Sequence, residues 1–241
     1  MCSLFYNLGR MAGPKIRKAR WFWQSLVGSE SEAIAAEYDV GRDLAAELAR
    51  QVPIRTDGEH AALIRQVGSR LAACVANKQR KFAFAVMETA EPNAFALPGG
   101  FIYLTRGLID LCRADPDELA FVIGHEMAHV IRGHAIDRIA GEAAVQALSR
   151  TAVVRGAIGG WLKRVGVQAL QSAYSQDCEF EADALGAKLV RAARLDITAP
   201  ERLLRRLREL DREGRLSEVT KYFSSHPPLA ERANAVAVAP S

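Results

Sequence analysis

Cysteine is scarce in this chain, and the four present (Cys2, Cys74, Cys112 and Cys178) include no C-x-x-C pair. That argues against a disulfide framework and a cysteine-built zinc site, and it fits a reducing compartment such as the cytoplasm. Long apolar runs are missing too. The longest candidate, residues 143–162, is broken by Arg150 and Arg155, so no segment reaches the eighteen or so apolar residues of a membrane span. No secretory leader is visible: Met1 to Leu8 is too short for an apolar core, and Arg10 and Lys15 follow it rather than precede it. The expectation is a soluble protein without a transmembrane segment. Acids are absent from residues 1–29, where Arg10, Lys15, Arg17, Lys18 and Arg20 mix with Phe5, Tyr6, Trp21, Phe22 and Trp23. This basic, aromatic arm reads either as a peripheral membrane or acidic-partner contact, or as a segment that packs its rings on the domain and solvates its charges; the second is preferred. No nucleic-acid-binding motif accompanies the net charge of +4, so no nucleic-acid partner is expected. No internal repeat or low-complexity linker divides the rest.

What is present suits an ordinary globular protein: 241 residues, 49% hydrophobic and 25% charged. Residues 30–241 are expected to form one domain behind the arm. Residues 30–52 and 59–76 read as helices, the second with Leu63, Val67, Leu71 and Cys74 on one stripe. The period then changes to two: Phe82, Phe84 and Val86 alternate with smaller residues. Turn signals at Glu91-Pro92-Asn93 and Pro98-Gly99-Gly100 bracket Ala94 to Leu97, and Phe101 to Thr105 follows. Three short strands in a row predict a small antiparallel sheet or meander. The fold class is therefore α+β, mainly helical, with that sheet beside the next helix.

That helix opens at Asp115-Pro116-Asp117-Glu118, with Asp as cap, Pro in the first position and acids in the first turn. It carries Gly124-His125-Glu126-Met127-Ala128-His129 inside an apolar run and is expected to continue past His134. Phe121, Val122, Ile123, Met127, Val130 and Ile131 point nearly all round, the mark of a buried helix. His125 and His129, four apart, share a face and can offer two nitrogens to one metal ion. Glu126, about 100° away, can meet a water there without ligating.

A catalytic zinc usually takes three protein ligands. His134 is about 180° from His125 on a continuous helix and reaches the same ion only if the helix breaks near Gly133. Residues 177–191 read as another helix, whose acids form two i,i+4 pairs. Asp177 and Glu181 share a face with Lys188; Glu179 and Asp183 lie on the apolar side with Leu185, Gly186 and Leu189. Glu179 suits the third ligand, and Asp183, one turn on, suits the far nitrogen of a ligand histidine. Cys178 is a competing soft ligand, read instead as a small buried residue lying nearer the core than Glu179. Residues 141–172 read as loosely specified helix, 199–212 as a basic helix opened by Pro200, and Ser224 to Pro228 as a constrained turn.

Four segments together resemble the zinc metallopeptidase family of the HtpX, CAAX prenyl protease and Oma type: Asn93-Ala94-Phe95-Ala96-Leu97-Pro98-Gly99-Gly100, the H-E-x-x-H hexapeptide, Glu179-Phe180-Glu181-Ala182-Asp183, and His226-Pro227. The resemblance implies a zincin-like domain, one Zn2+ on His125, His129 and Glu179, and Asn93, Ala94, Phe95, Ala96 and Leu97 as an edge strand that aligns substrate. Many members carry transmembrane helices; this chain shows none, so a membrane-embedded substrate is not carried over. Residues 1–58 match none of its motifs. The function implied is a zinc-dependent endopeptidase acting on unfolded or extended protein segments, in the manner of protein quality control. Glu126 would serve as general base, and His226, backed by Arg232 and Tyr174, as oxyanion donor. The alternatives are a latent enzyme or a non-catalytic, zinc-stabilised module that captures unfolded polypeptide.

Overall fold

The computed structural model describes residues 29–135, 137 and 174–212. Its elements are helix α1 (Glu30–Gln51), strand β1 (Ile54–Arg55), helix α2 (Gly58–Ala73), strands β2 (Ala83–Met87), β3 (Ala94–Leu97) and β4 (Phe101–Thr105), and helices α3 (Arg106–Leu111), α4 (Pro116–Arg132), α5 (Gln176–Ala192) and α6 (Ala199–Arg212). The N-terminal arm, residues 141–172, and the turn with His226 and Arg232 lie outside the described residues. No helix among the described residues is long and apolar enough to cross a membrane.

The sheet is mixed, which corrects the expected antiparallel meander. Its order is β1-β2-β4-β3. β2 and β4 pair in parallel with Ala85 opposite Tyr103, while β3 pairs antiparallel with β4, Ala96 opposite Ile102. The two-residue strand β1 was too short to show a periodicity. Burial explains the order: Ile102, Tyr103, Leu104 and Thr105 are all buried, so β4 needs cover on both faces and both edges, and it inserts between the strands that precede it. The β3–β4 hairpin closes through Pro98–Gly100, where Gly99 and Gly100 have φ of 73° and 93°, a region open chiefly to glycine.

The alternation of β3 sorts the core. Ala94 and Ala96 join Phe84, Val86, Ile102 and Leu104 in the main core with Ile64, Val67 and Leu71 of α2 and Leu119, Val122, Ile123 and Met127 of α4. Phe95 and Leu97 face the other way, with Ala85, Met87 and Tyr103, onto Leu44 and Leu48 of α1. The sheet is thus covered by α1 on one face and by α2 and α4 on the other. On α2 the buried stripe runs through Ile64, with Leu63 half-buried.

Helix α4 is buried from Glu118 to Val130. Asp115 caps its start by accepting from the N–H groups of Asp117 and Glu118. Burial pushes the Asp115 carboxyl up, but these bonds and Arg202 outweigh it and hold the group below its ordinary value. From α6, Arg206 reaches Glu118 at 2.7 Å and the Leu111 carbonyl at 2.8 Å. At its other end α4 stops short of His134: Gly133 adopts a left-handed conformation, φ 74° and ψ 18°, and closes the helix.

Candidate metal centre

Helices α4 and α5 cross where each carries glycine. A Cβ on Gly186 would lie 2.9 Å from the His125 backbone nitrogen, and one on Gly124 would lie 3.2 Å from the Gly186 carbonyl oxygen. This close approach sets Glu179, two turns before Gly186, over the side chains of His125 and His129. Ser175 caps α5 by accepting from the Cys178 N–H and starts the helix in the phase that turns Glu179 inward.

His125 Nε2 and His129 Nε2 lie 3.0 Å apart. Glu179 meets them with one carboxylate oxygen each, both at 3.4 Å. All three residues are buried, and their ligand atoms lie within 4.8 Å of one another. The far sides of the rings are engaged as well. His125 Nδ1 donates to Asp183 Oδ1 at 2.9 Å, which fixes its proton there and leaves Nε2 as an acceptor. His129 Nδ1 lies 2.9 Å from His134 Nδ1. Two imidazole lone pairs and a carboxylate converging on one buried point is a donor set that a divalent cation fits.

Glu126 is 1% exposed, beside His125 on α4. Asp177 and Glu181 are exposed while Glu179 and Asp183 are buried. Cys178 lies outside the ligand group and is half-buried, less deep than Glu179. The expectation that it points nearer the core is thus corrected: Cys178 sits one residue, about 100°, off the buried face. Burial raises its thiol. Tyr174 lies flat on the His129 ring, centroids 4.1 Å apart and planes at 19°. Burial holds His134 down to about 4, against the pull of Glu181 and Glu179.

The edge strand β3 lies against α4. The Asn93 side chain folds back to accept from the Ala94 N–H, and the Asn93 carbonyl accepts from the Thr105 N–H at 2.9 Å. By the alternation of an antiparallel ladder, Phe95 and Leu97 bond inward to β4, while Ala94 and Ala96 turn main-chain groups outward. All four residues of β3 are buried.

His134 is the residue of this site whose place the sequence did not show. The available signal was Gly133, a helix-ending glycine that redirects the chain just before it.

Residues 59–238 match the family described as Peptidase family M48. The chain belongs to that family. The mitochondrial metalloendopeptidase OMA1 of Schizosaccharomyces pombe is 29% identical over 170 residues, 70% of this chain and 50% of that protein. The metalloprotease YcaL of Escherichia coli is 26% identical over 219 residues, 87% of this chain and 79% of that protein. The metalloprotease LoiP of Escherichia coli is 32% identical over 155 residues, covering 62% and 59%. The chain thus spans about half the length of the S. pombe relative. M48 peptidases are metal-dependent, and among the described residues His125, His129 and Glu179 form a group that could hold the metal.

Proposed function

We propose that this M48 member is a zinc metalloendopeptidase that cleaves extended or unfolded protein segments in the cytoplasm, with a role in protein quality control. The observation that carries the reading is the convergence of two histidine nitrogens and a carboxylate on one point beside a buried glutamate. His125, His129 and Glu179 would hold one Zn2+, and when bound it would polarise a carbonyl and lower the pKa of a water from about 16 to about 7. Glu126 accepts a proton from the attacking water on a carboxylate oxygen and returns it to the leaving amine. Asp183 holds the His125 ring in one tautomer. The outward main-chain groups of Ala94 and Ala96 align an extended peptide, which favours loose sequence preference because backbone rather than side chain is read. Partners are then protein or peptide substrates rather than nucleic acid. Residues 30–241 act as one catalytic domain that follows the basic, aromatic arm of residues 1–29. His226 remains the candidate oxyanion donor.

A second reading, a latent form of the same enzyme, is favoured by burial. Glu126 is 1% exposed and β3 at most 4%, so a peptide reaches neither until something moves. Both readings are tested by casein digestion with zinc analysis of the purified protein. E126Q should keep one zinc and lose cleavage by about 10²–10⁴-fold, while E179A should lose zinc. Cleavage by E126Q at the wild-type rate would defeat the mechanism. Low wild-type turnover that rises in H226A would select the latent form, with His226 blocking the open metal position instead of serving the oxyanion.

A further inference from the structure

The two candidate ligand histidines are held from behind by unlike partners. His125 has the Asp183 carboxylate at 2.9 Å; His129 has another imidazole, His134, at the same distance. We propose that His134 is a positioning residue of the metal centre, holding His129 through its Nδ1 in the tautomer and orientation that turn His129 Nε2 toward Glu179. The inference rests on the reading of His125, His129 and Glu179 as metal ligands.

Proton placement gives the contact its direction. Of two neutral imidazole nitrogens in hydrogen-bond contact, one donates and one accepts. A metal at His129 Nε2 uses that lone pair, so the proton of the ring sits on Nδ1 and is donated to His134 Nδ1. His134 then carries its own proton on Nε2, which faces Glu181 Oε2 at 3.8 Å. The chain reaches this arrangement by a backbone device. On a continuous helix His134, five residues after His129, would sit about 140° away and point elsewhere. The left-handed Gly133 ends α4 and lets His134 fold back. Tyr174 covers the ring face of His129, so the ring is held on one edge by His134 and on one face by Tyr174. His134 itself is buried, where an imidazole without a partner would be costly. The contact therefore satisfies both rings at once.

The test uses the full chain, with zinc affinity read by competition against a chromophoric chelator and the site geometry read from the visible spectrum of the Co2+ form. Asparagine places an amide oxygen close to where the imidazole Nδ1 sits, whereas glutamine reaches where Nε2 sits. H134A and H134Q should lose about 10–100-fold in zinc affinity and shift the Co2+ bands, while H134N should keep most of the affinity and the wild-type spectrum. The thermal midpoint of each metal-free protein, taken alongside, separates a packing loss from a loss at the metal. Wild-type affinity and spectrum in H134A would overturn the proposal, as would an H134N as weak as H134Q. A wild-type chain that binds no zinc would instead bring down the metal reading, and this inference with it.

Discussion

Glu37 carries a charge that the fold keeps out of water. Its side chain is 6% exposed and lies 3.1 Å from Arg80, itself 14% exposed, and its other oxygen accepts from the Gly99 N–H at 3.2 Å. One carboxylate of α1 thus ties down the turn that ends β3. The pair as a whole contributes little net stability, because desolvating both charges offsets much of their attraction. Removing one partner is different, since Arg80 is left buried with no counter-charge. That costs about 3–5 kcal/mol for a fully buried pair, and the residual exposure of Arg80 places this case at the low end. We therefore expect E37A to cost about 3 kcal/mol in urea denaturation. E37Q keeps an acceptor for Gly99 and should cost about half as much, because an unsatisfied buried donor is worth about 1–3 kcal/mol. Equal losses in the two variants would show that the Gly99 contact contributes nothing. None of this was legible in the sequence: Glu37 sits in an Ala- and Glu-rich helix where most acids are solvated, and a contact across 62 positions leaves no local signal.

At the scale of elements, the legible features were those with a strong period or cap. The inward face of α5 could be read because its acids fall into two i,i+4 pairs and only one shares a side with Leu189 and Val190; Glu179 and Asp183 are the buried pair. The start of α4 was legible from Asp115-Pro116, whereas its end was misplaced because the apolar period runs on through Ile131 and masks the break at Gly133. Strand existence was legible and strand order was not, since order depends on which strand needs burial on both faces. The crossing of α4 and α5 makes its own prediction. Alanine at Gly186 gains up to about 1 kcal/mol of helix propensity. Its Cβ, however, would stand 2.9 Å from the His125 nitrogen and 3.0 Å from the Gly124 carbonyl carbon, and both are backbone atoms that cannot rotate away. Overpacking of this kind costs about 1–3 kcal/mol, so the clash outweighs the propensity. G186A should be less stable by about 1 kcal/mol, and it should bind zinc more weakly because any separation of the helices moves Glu179 away from the histidines. A G186A protein more stable than wild type, with unchanged zinc affinity in the same chelator competition, would show that the crossing is looser than these distances indicate.

Over the whole molecule, the site and the core are one structure. Helix α4 supplies Leu119, Val122, Ile123 and Met127 to the main core and His125, Glu126 and His129 to the site, while α5 supplies Leu189 and Val190 to the same core and Glu179 to the site. The proposed ligands join two helices, with Glu179 lying 50 residues after His129 and 54 after His125, so a bound ion would act as a cross-link in the folded state that the unfolded chain lacks. Metal binding to the native state alone stabilises by RT ln(1 + [L]/Kd), about 4 kcal/mol when zinc stands at 1,000 times Kd. For a chain of 150–250 residues each kcal/mol moves the thermal midpoint by about 2–4 °C, so stripping the metal with EDTA should lower the midpoint by about 8–16 °C. The size of the drop should grow with the zinc concentration of the reference sample, because the linkage is a mass-action effect. E179A, which lacks a proposed ligand, should show a smaller drop, whereas E126Q, which keeps all three, should show the full one. A midpoint indifferent to EDTA and to added zinc would mean that the ion is not part of the native fold, however well the three donor atoms converge.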